Sequence, residues 1–258
     1  VKTRLGLLLL VLMGGVLVAT EGPDPRSLLE QSITFHGGKA ALQSLPHVKG
    51  TGTIELAGRT AGRARDYVEY QRADGGRRSE TSFEFRGRQI TAVEIYDGKM
   101  CKRSTGGGWD DLPLDENRER AAHRIDLLLR ALSASPTLAG EADELGVAAW
   151  RVAMDDGAGG KAVLSLAKDD ARLLAIEYPA TEAEGMGTKK AVTRKVLHHA
   201  LLRVGNVQLP SDVEVLRDGS FESRMRFERL EPLPRWEEDW LRVPDPRRRF
   251  IPSEELAY

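Results

Sequence analysis

With one cysteine, Cys101, in 258 residues, the chain can form no intrachain disulfide, and its fold must rest on a packed core. Unpaired cysteine is among the most buried residue types, so Cys101 is expected inside a strand. Net charge is equally scarce. The 38 Lys and Arg against 39 Asp and Glu leave −1, which removes any general electrostatic reason to bind nucleic acid or an anionic membrane. No apolar run reaches the ~20 residues that a membrane-spanning helix needs.

Catalytic signatures are missing too. There is no Gly-x-Ser-x-Gly elbow, no His-Glu-x-x-His helix and no Gly-x-Gly-x-x-Gly before a helix. Gly106-Gly107-Gly108 is followed by no Lys-Ser/Thr and opens no helix, so it reads as a turn rather than a phosphate cradle. His198 and His199 are neighbours in an expected strand and point to opposite faces, with only apolar residues two positions away. The acidic pairs Asp110-Asp111, Asp155-Asp156, Asp169-Asp170 and Glu237-Glu238 fall in or beside turns and are too sparse for calcium. No metal and no cofactor is expected. Cys101 with His123 is the one nucleophile–base pair worth a glance, and nothing in the sequence brings the two together, so an enzyme is not expected.

What is present begins with Lys2 and Arg4, followed by the 14-residue apolar run Leu5–Val18, then the small and polar Ala19–Gly22 and a turn at Pro23-Asp24-Pro25. That order is the layout of a secretory signal peptide, with cleavage expected after Ala19 or Gly22. The chain therefore divides into an export signal over 1–22, one domain over 23–234 and a charged tail over 235–258. Export places the protein in a periplasm, free or resting on the outer membrane. In the tail, Trp236 and Trp240 are four apart, which suits one helical turn laying both rings on the body.

Pro25–Leu45 reads as a helix with Asp24 as N-cap, interrupted at His36-Gly37-Gly38. From His47 the apolar period changes to two. Strands are expected at 47–56, 63–72, 77–85, 88–96, 99–104, 148–154, 161–167, 173–178, 191–202, 207–216 and 222–230, joined by short turns such as Arg86-Gly87 and Asp97-Gly98. Between the two runs lies a helix from Glu116 to about Leu132 with an apolar face. The fold class is mainly β with helices (α+β), an antiparallel meander of about eleven strands. Arg63, Arg65, Arg78, Arg103, Arg151 and Arg224 lie inside strands; alternation sends at least half of them to solvent. Any that face inward could hold a carboxylate or phosphate head group bidentately.

Five stretches carry a resemblance: Phe35-His36-Gly37-Gly38-Lys39-Ala40-Ala41-Leu42, Val48-Lys49-Gly50-Thr51-Gly52-Thr53, Tyr96-Asp97-Gly98-Lys99 with Gly108-Trp109, Ile125-Asp126-Leu127-Leu128-Leu129, and Val204-Gly205-Asn206-Val207-Gln208-Leu209-Pro210. Together with the order of elements, they make the chain resemble the LolA/LolB-like, outer-membrane lipoprotein-sorting-type superfamily. The resemblance implies a curved antiparallel half-barrel with helices packed on its concave face, and acyl chains held between the two. It implies a non-enzymatic periplasmic carrier or binder of a lipid or acylated protein, whose partners are a hydrophobic ligand such as a lipid or acyl chain, or an envelope lipoprotein or membrane protein. Given that fold, alternation turns Ile54, Leu56, Phe83, Phe85, Val93 and Ile95 toward the concave side, with Trp150, Val152, Leu164, Leu166 and Ile176. Leu128, Leu129 and Leu132 face them from the helical lid. The alternative is an envelope structural or signalling protein that uses the same fold as a protein-docking surface, with the tail at its centre.

Overall fold

The computed structural model describes residues 22–58, 63–73, 75–97, 100–105, 108–112, 125, 127–155, 161–184 and 188–241. The expected export signal, most of the helix expected from Glu116, and the tail beyond Leu241 lie outside the described residues.

Helix α1 spans Pro25–Phe35 and α2 spans Lys39–Gln43. Asp24 caps α1, its carboxylate accepting from the N–H groups of Arg26 (3.4 Å) and Ser27 (3.0 Å), while Pro25 takes a first position where no N–H is needed. The break between the helices falls at Gly37 and Gly38, both at positive φ (+116° and +88°). A Cβ on Gly37 would sit 2.1 Å from the carbonyl oxygen of Asn206, so only glycine lets α1 come this close to the sheet.

The strands are β1 His47–Leu56, β2 Arg65–Gln71, β3 Arg77–Phe85, β4 Arg88–Tyr96, β5 Cys101–Ser104 and β6 Asp110–Leu112, then helix α3 Leu127–Ser133, then β7 Thr137–Glu144, β8 Val147–Asp155, β9 Lys161–Ala167, β10 Leu173–Glu184, β11 Thr188–Val204, β12 Val207–Arg217 and β13 Ser220–Leu233. They form one curved, unclosed antiparallel sheet in the order β6-β5-β4-β3-β2-β1-β13-β12-β11-β10-β9-β8-β7. Two meanders, β1–β6 and β7–β13, thus meet where the first strand pairs with the last. Cys101 is buried in β5.

Among the described residues thirteen strands replace the expected eleven. The additions are the two edges. β6 has three residues, too few for a period. β7 reads Thr-Leu-Ala-Gly-Glu-Ala-Asp-Glu, with acidic side chains and a register shift at Gly140, as edge strands that must not recruit another chain commonly do. Its weak alternation hides it from a pattern search.

The three helices among the described residues pack on one face of the sheet. Leu28, Leu29 and Ile33 of α1, Leu42 of α2, and Leu127, Leu128 and Ala131 of α3 share one apolar cluster with Val152, Leu164, Leu166, Ile176 and Val196 of β8–β11. Each fully buried Leu or Ile contributes roughly 1.5–3 kcal/mol. The opposite, outer face is polar: Arg151–Glu177 and Lys195–Glu144 reach past an intervening strand or more, while Arg224–Asp212 and the His199–Glu214 hydrogen bond join neighbouring strands. After β13 the chain turns back along that outer face. A 3-10 turn at Glu238–Leu241 follows, in which Trp240 lies 4.6 Å from the ring of Tyr70, while Trp236 lies 5.5 Å from that of His47.

Candidate functional site

Along β1–β5 the inner face carries polar side chains, and the register explains how they come together. Tyr67 of β2 lies opposite Thr81 of β3, which lies opposite Ala92 of β4; Glu69, Ser79 and Glu94 form the next row, and Glu94 pairs with Arg103 of β5. These rows line a hollow of about 560 Å³. Ile54 and Leu56 of β1 and Val215 and Met225 from the second meander give it an apolar side, and Arg65, Arg77, Arg103 and Arg194 bring four guanidiniums to its wall. Beside it is a smaller, mostly apolar cavity of about 80 Å³, lined by Val48, Leu209, Val213, Phe227 and Leu230 with Ile125, and polar at Glu69, Gln71 and Arg72. Arg77 and Met225 line both spaces.

Arg77 is the seam. Its Nη2 donates to the Tyr67 hydroxyl (2.9 Å) and lies 2.9 Å from Glu69 Oε2, while the Tyr67 hydroxyl and the Gln71 amide donate to the same carboxylate. Burial works against the Arg77 charge, but Glu69 and then Tyr67 outweigh it and hold the guanidinium above its ordinary value. Around the hollow, Arg103 donates through Nε and Nη2 to one Glu94 oxygen (3.1 and 2.8 Å), and Arg194 donates to Glu222 (3.1 Å). Arg65 lies over the Phe83 ring, 4.7 Å from its centroid.

The residues expected to line a ligand space fall into separate groups. Ile54, Leu56 and Phe83 line the hollow, and Val93 borders it from its place between Ala92 and Glu94. Trp150, Val152, Leu164, Leu166, Ile176, Leu128, Leu129 and Leu132 belong to the packed cluster beneath α1 and α3, and line neither space. Ile95 is buried on the outer face: it pairs with Arg78, whose Nη1 donates to the Trp240 carbonyl (3.4 Å). Of Phe85 the structure gives the backbone, paired with Arg88. The strand arginines divide likewise, Arg65 and Arg103 on the hollow and Arg78, Arg151 and Arg224 outside. Tyr67, Glu69, Arg77 and Met225 are not among the expected residues. Their signal was polar alternation across a hairpin, Tyr67-x-Glu69-x-Gln71 facing Arg77-x-Ser79-x-Thr81.

Two of the stretches that carried the resemblance meet in space. The His36 Nδ1–H donates to the Gln208 carbonyl (3.0 Å), and the Gln208 N–H donates back to the His36 carbonyl (3.2 Å). No protein-family model matches the chain, and no curated protein matches it. Solved structures do. A LolA superfamily protein from Nitrosomonas europaea superposes with a TM-score of 0.54 over 86% of this chain and 99% of that one, at 10% identity. The fold is LolA-like. A candidate outer membrane lipoprotein-sorting protein domain from Vibrio parahaemolyticus shares the LolA-like fold, with a TM-score of 0.52 over 84% of this chain and 97% of its own, at 12% identity. At these identities the likeness carries the architecture alone, and the chemistry of the concave side rests on this chain's own residues.

Proposed function

We propose that this protein is a non-enzymatic carrier or binder of a lipid or acylated protein, exported to the periplasm after loss of residues 1–22 and working through a domain over 23–234. The observation that carries the reading is the 560 Å³ hollow on the inner face of the LolA-like sheet, sharing Arg77 and Met225 with an apolar cavity. Ligand pockets run from about 300 to 1,000 Å³, so the hollow alone is large enough and the 80 Å³ cavity alone is not. A ligand would therefore enter through the hollow and extend apolar groups between Val48, Leu209, Val213 and Phe227, each buried CH₂ contributing ~0.8 kcal/mol. The expected lining residues of β8–β10 and α3 act in this reading as the rigid wall behind the site rather than as its surface. The rival reading, a docking surface built around the tail, is weakened by Trp236 and Trp240, which pack on the chain's own outer face.

Native mass spectrometry of the mature protein, purified from the envelope fraction of its host, tests the proposal. A lipid or acyl chain bound at one per protein is the expected result. A clean unliganded mass, together with no uptake of a fluorescent fatty acid, would overturn it.

A further inference from the structure

We infer that Phe227 is the chain-length stop of this carrier: the small cavity takes the end of an acyl chain that reaches it from the hollow, and the Phe227 ring, lying over Gly50, fixes how many carbons fit. The inference rests on the carrier reading above. The register of β1 and β13 puts the ring there. Pairing steps from Thr51↔Arg229 to Gly52↔Phe227, so Glu228 is an extra residue on β13. A bulge of this kind re-aims the side chains around it. Phe227 and Leu230, three apart, therefore both line the cavity, where regular alternation would send them to opposite faces. Gly50 sits beneath the pair. A Cβ on it would lie 2.7 Å from two carbons of the Phe227 ring and 3.0 Å from Leu230 Cδ2, so the ring fills space that a side chain at this position would claim.

Phe227 is the one aromatic ring among the described residues that line the cavity, and it stands where the two spaces meet. It lines the cavity and not the hollow, Tyr67 lines the hollow and not the cavity, and their rings are 5.8 Å apart, tilted at 47°. The other residues at this junction are fixed more firmly. Arg77 and Tyr67 share the Glu69 carboxylate, and Met225 is buried. Phe227 is half-buried, and its side chain has no polar group to anchor it. A cavity of about 80 Å³ is too small for a whole ligand and suits only a chain end. One carbon too many must displace packed side chains, and that overpacking opposes binding.

Displacement of a fluorescent fatty acid from the full mature protein by saturated straight-chain acids, octanoic through stearic, tests this. In the wild type each added methylene should tighten binding about fourfold up to one length and not beyond it. Phe227→Ala should move that break to a longer acid, so that an acid two methylenes past the wild-type break binds at least about tenfold more tightly than to the wild type. Gly50→Ala, which drives the ring into the cavity, should move the break to a shorter acid. Circular dichroism confirms that each variant folds; where Phe227→Ala does not, Phe227→Leu should shift the break in the same direction. A break unmoved in the folded Phe227 variant, or a wild type whose affinity climbs through the whole series, would overturn the stop and leave the carrier reading standing. Failure of the probe and, by calorimetry, of every acid to bind would remove the carrier reading and this inference together.

Discussion

The buried His36 holds the end of α1 to the sheet, and it does so only when neutral. The His36 Nδ1–H donates to the Gln208 carbonyl, and its Nε2 accepts the Leu173 N–H (3.2 Å), an arrangement open only to the ring protonated on Nδ1 alone. His198 approaches the Leu173 carbonyl from the neighbouring strand (3.4 Å). Burial pushes the His198 pKa down to about 4, with His36 and His199 adding to it and the Leu173 carbonyl opposing; burial also lowers His36, against the Gln208 contact and Asp170. A depressed histidine binds fewer protons folded than unfolded. Its contribution is complete above pH 6.5 and is lost as pH falls through the window down to about 4. At about 1.4 kcal/mol per unit, His198 alone accounts for roughly 3 kcal/mol over that window. Thermal melting of the wild type should therefore drop steadily from pH 7 to pH 4, and His198→Leu should flatten the slope. Asp212, held below its usual value mainly by Arg224 against its burial, acts at lower pH and does not confuse the comparison. An unchanged slope in His198→Leu would mean that the ring is not kept neutral.

At the scale of elements, the parts legible in the sequence were those whose signal is local. Asp24-Pro25 marks the start of α1 and Gly37-Gly38 its end, because a cap and a positive φ are properties of one or two residues. The phase of β4 is equally local, and the structure departs from the expected one. Arg86 and Gly87 form a two-residue turn with positive φ at both (51° and 73°), so Phe85 faces Arg88 across the hairpin. Odd residues of β3 then share a face with even residues of β4, and Val93 and Ile95 go with Glu80 and Arg78 rather than with Phe83. Apolar alternation alone could not show this, because Ile95 is buried on the outer face too, beside Arg78 of β3, which the chain returning after β13 covers. Nor could it show Arg77, whose inner position depends on partners from another strand. The two glycines of the break offer a test of their separate duties. Both Gly37→Ala and Gly38→Ala meet the strain of a left-handed backbone, about 1–2 kcal/mol. Only at Gly37 would the new Cβ also strike the Asn206 carbonyl; at Gly38 nothing lies within 4 Å. Urea denaturation should show Gly37→Ala clearly less stable than Gly38→Ala. Equal midpoints would mean that α1 can move away from β12 at no penalty.

At the scale of the whole molecule, the sheet has two faces with different work. The inner face holds the core, the apolar cavity and the arginine-lined hollow. The outer face binds the chain's own end through Trp236 and Trp240, whose rings lie 5.1 Å apart edge to face, next to His47 and Tyr70 on β1 and β2. This contact bridges the two meanders, since the segment leaves β13 and lands beside β2 across β1, the seam of the sheet. Stability and ligand uptake should therefore come apart. Replacing both rings, Trp236→Ala with Trp240→Ala, should destabilise the fold by about 2–4 kcal/mol, below what two fully buried aromatics would lose because these are only partly covered. Binding of a fluorescent fatty acid should stay within about twofold, since neither tryptophan lines the hollow, although Arg72, 5.9 Å from the Trp236 ring, also borders the small cavity. Thermal melting and probe titration on the same preparation decide it. A stable protein that no longer takes up the probe would show that β2 and β3, which carry Tyr67 and Arg77 inward and Tyr70 and Arg78 outward, couple the docked end to the hollow.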